Sequence, residues 1–222
     1  MTVYLFWDID GTLLTTGRAG IFAWEEAADE VLGGAHDFSR LKTAGLTDFE
    51  IAVLIAGEER RDMAVPLLRA YEAAVPAHLG RRRGHVMPNV RENLEVLAAR
   101  DDVVSMLLTG NVEGGARAKL AHYGLLEFFE ETGGAFCVEG SDRPSIARRA
   151  LELAANNGGE VPDGNRVVVI GDTPHDVSCG KAIGAQTMAV ATGGYSFEDL
   201  QAAGADVTLE LLPPPGDFLA LL

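Results

Sequence analysis

Val3-Tyr-Leu-Phe-Trp-Asp-Ile-Asp-Gly-Thr-Leu13 decides the fold. Its first five residues are an unbroken apolar run, the pattern of a strand buried on both faces, and the run halts at Asp8-Ile9-Asp10-Gly11, which reads as a turn. Acidic side chains are therefore expected at the carboxyl end of a central strand, where open α/β sheets bind their ligands. Val103–Leu108 and Arg166–Ile170 repeat the pattern, and shorter runs lie at Phe136–Val138, Thr187–Val190 and near Val207. Between these runs the apolar spacing is helical. Pro88 suits a first turn ahead of Val90, Leu94 and Leu97, Gly124 suits a cap after a helix over 116–122, and further helices are predicted over 144–155, 177–183 and 197–203. Such alternation predicts right-handed βαβ units on a mostly parallel, Rossmann-like sheet, ended by the tail Pro213-Pro-Pro215.

Residues 16–86 break the alternation. Three helices are expected there: one over Ile21–Leu32, one opening at the capping-box spacing Thr47-Asp-Phe-Glu50, and one over Leu67–Leu79, with no strand among them. The expected organisation is an α/β core of residues 1–15 and 87–222 carrying an inserted α-helical domain of residues 16–86.

Composition narrows the function. With 18 Lys+Arg against 33 Asp+Glu the net charge is −15, which repels a phosphate backbone, so no nucleic-acid partner is expected. No apolar run approaches the roughly 20 residues of a membrane helix, and no basic leader precedes Val3, so a soluble cytoplasmic protein without a membrane partner is expected. Cys137 and Cys179 form no C-x-x-C pair and the five histidines show no metal-binding spacing, which leaves a disulfide framework and a zinc site without support.

The chemistry is expected at the strand ends. These offer Asp8 and Asp10, then Thr109-Gly110-Asn111, then Asp172 with Asp176, while Arg143 precedes a helix. Carboxylates gathered at one sheet edge repel one another unless a cation sits among them, and an all-oxygen set suits Mg²⁺. Together with a hydroxyl, backbone N–H groups and a guanidinium, this is equipment for binding and moving a phosphoryl group. Each piece has a plainer reading: Asp8–Gly11 as a turn, Asn111 as a cap for the next helix, Asp172 or Thr173 as the cap of a helix with Pro174 in its first turn. Their occurrence together, in order and at strand ends, is what favours chemistry.

Asp8-Ile-Asp-Gly-Thr-Leu13 resembles the opening motif of the haloacid dehalogenase-like (HAD) hydrolase superfamily. Leu107-Leu-Thr-Gly110, Arg143-Pro144 and Ile170-Gly-Asp-Thr-Pro-His-Asp176 resemble the second, third and fourth motifs, in family order, over nearly the whole chain. The insert falls where subfamily I places its helical cap, and the likeness is to the phosphoglycolate phosphatase-like branch. The resemblance implies a Mg²⁺-dependent phosphomonoesterase acting on a small phosphorylated metabolite. Asp8 would be the nucleophile that forms a phospho-aspartate and Asp10 the general acid and base; Thr109, Gly110 and Asn111 would hold the phosphoryl oxygens. Asp8, Asp10, Asp172 and Asp176 would hold the metal. The third motif usually offers Lys where this chain has Arg143, and Lys119 competes for that role. On the cap side Arg18, Lys42 and Thr47 are candidate substrate contacts and the Gly45-Leu-Thr-Asp48 turn resembles loops that face the site in related capped enzymes, whereas Trp24 and Phe49 read as core and His175 as an exposed loop residue. Asp10 argues against dehalogenase chemistry, and nothing around Lys42 favours a phosphonatase. A sugar phosphomutase of the same superfamily and a catalytically silent HAD-fold binding protein remain as alternatives, while the cap-sized insert and Asp10 tell against a receiver-type signalling module.

Overall fold

The computed structural model describes residues 2–158, 163 and 166–222. Five principal parallel strands, β1 (Val3–Trp7), β4 (Val103–Val112), β5 (Gly134–Cys137), β6 (Val167–Gly171) and β7 (Gln186–Val190), with β8 (Val207–Leu209) at one edge, form a sheet in the order β5-β4-β1-β6-β7-β8. β1 is central because both its faces are covered. Tyr4 and Phe6 enter one apolar cluster with Met106, Leu108 and Val169, and Leu5 and Trp7 enter the other with Leu107, Val168 and Ile170. Register then fixes the position of the chemistry. Trp7 lies beside Leu107 on one side and Ile170 on the other, so Asp8, Thr109 and Asp172 emerge within a residue of the same level. The chain runs outward to β5 on one side of β1 and to β8 on the other, which makes the end of β1 a topological switch point.

The predicted helices follow: α4 (Val90–Ala98), α5 (Glu113–His122), α6 (Arg143–Gly158), α7 (Pro174–Ala182) and α8 (Phe197–Ala202). Val90, Leu94 and Leu97 form the buried stripe of α4, and Gly124 takes φ 68° just past α5. Residues 16–86 fold into α1 (Ala19–Leu32), α2 (Asp48–Ala56), a 3₁₀ segment (Glu58–Met63) and α3 (Ala64–Leu79). Thr47 and Glu50 close the expected capping box at the start of α2. Trp24 of α1 stacks on Tyr71 of α3 with ring centroids 4.0 Å apart and planes 7° from parallel, joining these two helices.

Four sequence expectations are corrected. The helical segment is bracketed by a small antiparallel ribbon, β2 (Leu14–Thr15) with β3 (His85–Val86), too short for a period-2 signal. β5 spans Gly134–Cys137 rather than Phe136–Val138, because its first residue must be small: a Cβ at Gly134 would lie 2.4 Å from Leu107 Cβ. Asn111 is no helix cap. β4 continues through it to Val112, and α5 starts without a side-chain cap of its own. The proline tail does not end the fold either, since α9 (Pro215–Leu219) follows it and buries Phe218, 5.9 Å from the Trp7 ring. A helix this short shows no periodicity in sequence. No helix among the described residues is long and apolar enough to cross a membrane.

Candidate active site

Asp8 follows directly from β1, and its N–H donates to the Ile170 carbonyl at 3.0 Å, which ties the strand end to β6. Asp172 leaves the end of β6, and Asp176 sits in the first turn of α7. Each is no more than 4 % exposed, and ligand oxygens of the three lie within 4.8 Å of one another. Gly11 makes this crowding possible: at φ +86° it passes so close to Asp172 that a Cβ there would stand 2.4 Å from Oδ2. Thr12 donates its hydroxyl to Asp172 Oδ1 at 3.2 Å. Asp176 is oriented by Thr173, whose N–H and hydroxyl donate to Oδ2 at 3.0 and 2.7 Å in a capping box, so Thr173 rather than Asp172 is the cap of α7.

Electrostatics penalise this arrangement as it stands. Burial, then the Asp176 charge, pushes the Asp8 carboxyl well above the usual carboxylate range, and burial with Asp176 and Asp8 does the same to Asp172. Oδ1 of Asp8 is buried without a hydrogen-bond partner among the described residues. Arg143 is the counter-charge. Asp142 fixes it in the first turn of α6 by accepting from the Ser145 N–H at 2.8 Å. Its Nη1 donates to Asp176 Oδ1 at 2.7 Å and stands 3.8 Å from Asp8 Oδ1, while Nε donates to the Gly45 carbonyl of the helical segment at 3.2 Å. Burial works against the guanidinium's charge, but Asp176 and Asp8 outweigh it and hold Arg143 fully protonated.

Asp10 belongs to a second group. Lys119 Nζ and Asn111 Nδ2 donate to its Oδ2 at 2.5 and 3.0 Å, and Asn111 also donates to the Thr109 hydroxyl at 2.8 Å. Lys119 is buried, yet Asp10, Tyr71 and Asp48 offset the desolvation and keep its ammonium charged. The two candidate cations thus divide the site: Arg143 stands at Asp8 and Asp176, Lys119 at Asp10. The Asp10 side chain itself is 42 % exposed, facing a cavity of about 430 Å³ that Asp8, Gly110, Asn111 and Asp172 also line.

The far side of that cavity comes from the helical segment: Ile21 and Trp24 of α1, Asp48 and Ile51 of α2, Tyr71 of α3. Of the three residues expected there, Arg18 reaches the mouth, exposed, with Nη2 on the Ser39 carbonyl at 2.8 Å. Lys42 is exposed and outside the lining, and Thr47 spends its hydroxyl on the Glu50 N–H. Sequence reasoning named Asp48 only as the end of the Gly45–Asp48 turn, and missed Tyr71 and the cavity face of Trp24. Asp48 is buried at the start of α2 and accepts from the Val112 N–H at 2.8 Å; Glu72 of α3 accepts from the Gly114 N–H at 2.7 Å. The uncapped amino end of α5 is therefore satisfied by two carboxylates from the helical segment. The likeness of the Gly45–Asp48 turn to site-facing loops pointed to this stretch without singling out the Asp48 carboxylate.

The family model for haloacid dehalogenase-like hydrolases matches residues 5–181. "Probable phosphatase IndB" of Dickeya dadantii (strain 3937) is 26% identical over 217 residues, covering 95% of this chain and 90% of that protein. Among solved structures, a hydrolase from Pseudomonas syringae superposes with a TM-score of 0.71 at 20% identity, covering 100% of this chain and 97% of that one. CbbY from Rhodobacter sphaeroides, solved in complex with phosphate, gives 0.68 at 18% identity over 94% and 93% of the two chains.

Proposed function

The chain belongs to the haloacid dehalogenase-like hydrolase family, and on that premise we propose that it is a Mg²⁺-dependent phosphomonoesterase that cleaves a small phosphorylated metabolite through a phospho-aspartate on Asp8. The observation that carries the reading is the convergence of Asp8, Asp172, Asp176 and Arg143 at the switch point, with Asp10 lining the same cavity. The description of the IndB relative as a phosphatase supports it.

The residues fit a divalent cation. Three buried carboxylates that repel one another, one with an orphaned oxygen, are an all-oxygen donor set, and the Asp10 backbone carbonyl is the further ligand the family resemblance implies. When bound, Mg²⁺ neutralises these charges and polarises a phosphoryl oxygen. In the first step an Asp8 oxygen forms a bond to phosphorus as the ester P–O bond breaks, and the departing alkoxide takes a proton from Asp10. Lys119 and Asn111 hold Asp10 by one oxygen, leaving Oδ1 without a donor among the described residues and open to the leaving group. In the second step Asp10 takes a proton from the water that displaces phosphate from Asp8. Thr109, Gly110 and Asn111 hold the phosphoryl oxygens, and Arg143 opposes their growing charge. Residues 16–86 act as a cap over this reaction, the β2–β3 ribbon as its hinge, and Asp48, Glu72 and the Gly45 carbonyl as the contacts that keep it closed.

The test is phosphate release from a panel of phosphomonoesters with Mg²⁺ or with EDTA. Metal-dependent release is expected; a folded protein that releases none from any ester contradicts the reading. Hexose phosphates in the panel, assayed also for isomerisation, separate hydrolysis from phosphomutase action.

Metal and pH are linked through the same carboxylates. Asp8 and Asp172 are raised to about 7 and about 8 in the fold, so the metal-free protein gains protons at these sites relative to the unfolded chain. That stabilisation is complete below the unfolded carboxylate range and is lost as pH rises through the folded values. In EDTA, Tm is therefore expected to fall between about pH 5 and about pH 8.5, and millimolar Mg²⁺ to restore most at the upper end. Thermal unfolding in both media checks this. A metal-free Tm that rises across the interval, or no Mg²⁺ effect at high pH, contradicts it.

A further inference from the structure

The cavity has two halves of different charge balance. Beside the sheet each cation is matched: Arg143 to Asp176 and Lys119 to Asp10. The half between α1, α2 and α3 has a carboxylate to which no cation among the described residues is hydrogen-bonded. Asp48 is 5 % exposed and lines the cavity; one oxygen takes the Val112 N–H, and the other has no hydrogen-bond donor among the described residues. Around it stand Ile21, Trp24, Leu46, Ile51 and Tyr71. Lys119 acts on Asp48 through space but gives its hydrogen bonds to Asp10 and Asn111, so one ammonium serves two carboxylates, and Arg18 lies exposed at the mouth, where water screens its charge. A leaving group that reaches this half meets an aromatic and aliphatic wall and a single negative acceptor.

We propose that Asp48 determines specificity, accepting a hydrogen bond from a hydroxyl of a neutral leaving group and turning away leaving groups that carry a carboxylate or second phosphate. This rests on the phosphomonoesterase reading and deepens it, because it names the substrate class: esters of neutral, hydroxyl-bearing alcohols with some apolar surface, not phosphorylated acids. The physical basis is asymmetric. A hydroxyl completes the open acceptor, whereas a second anion adds like-charge repulsion where little water is present to screen it.

Glycerol 3-phosphate and 3-phosphoglycerate test it, since they share a carbon skeleton and a primary ester and differ at the far end, CH₂OH against carboxylate. At pH 8, above the value of about 6 to which burial raises Asp48, the wild-type enzyme with Mg²⁺ is expected to favour glycerol 3-phosphate at least about tenfold in kcat/KM. Asp48→Asn keeps a carbonyl oxygen for the Val112 N–H while removing the charge, and is expected to bring the ratio to within about threefold of unity. A residue that merely held the cap in place would lower both esters together and leave the ratio unmoved. The proposal is overturned by a wild-type ratio at or below one, or by an unchanged ratio in folded Asp48→Asn. If neither ester turns over although other esters do, or none does at all, calorimetric Kd values for the two with wild-type protein decide: tighter glycerol 3-phosphate supports the proposal, and equal or reversed affinities overturn it. Absence of turnover on every ester counts against the hydrolase reading separately.

Discussion

Asp8→Asn is expected to lower phosphate release by on the order of 10⁴ or more while leaving the fold intact. The amide occupies the same volume at the end of β1 but is a poor nucleophile and forms no stable acyl phosphate. The substitution also removes one negative charge from a buried set that burial and Asp176 already penalise. In EDTA at about pH 8 the variant is therefore expected to unfold at or above the wild-type temperature, a sign opposite to that of most buried substitutions. Kinetics and thermal unfolding on one preparation check both halves. Full activity in the variant removes Asp8 from the mechanism, and a large loss of metal-free stability contradicts the account of repulsion.

Arg143→Met is expected to damage stability and rate together. Its guanidinium is the one cation in contact with Asp176 and Asp8 among the described residues, and the stump leaves those carboxylates buried without a counter-charge, a change that costs about 3–5 kcal/mol in comparable cases. It also releases the Gly45 carbonyl, one of the contacts holding the helical segment against the core. Arg143→Lys restores the charge but not the reach, since one ammonium does not span Asp176 on one side and Gly45 on the other. Urea unfolding and kcat/KM should rank wild type, Lys, then Met, with Lys recovering more of the stability than of the rate. A Met variant as stable as wild type contradicts this role. The geometry also accounts for arginine where the resemblance leads one to expect lysine: the fork serves the carboxylates and the Gly45 carbonyl of the helical segment at once.

The core was legible in sequence because its signals are local. The apolar run Val3–Trp7 declares a doubly buried strand, its abrupt end at Asp8 places the acid, and parallel register brings Thr109 and Asp172 to the same edge. The motif resemblance named Arg143 and Lys119 without dividing their work, since a side chain's destination depends on how α5 and α6 pack. Tyr71, and what the Asp48 carboxylate does beyond its turn, were illegible for a stronger reason. Both side chains reach the cavity only because α2 folds back across 64 positions onto the end of β4, where Asp48 accepts from Val112, and α3 across 42 onto α5, where Glu72 accepts from Gly114. The same applies to α9, whose Phe218 finds Trp7 from the opposite end of the chain.

The most direct test of the central claim is to quench the enzyme during turnover of an efficiently hydrolysed ester, reduce with borohydride and map the product by peptide mass. An acyl phosphate on Asp8 is reduced to homoserine, so that modification is expected at position 8 alone, dependent on substrate and on Mg²⁺ and absent from Asp8→Asn. Steady phosphate release with no modification at Asp8, or with modification at another carboxylate, contradicts it.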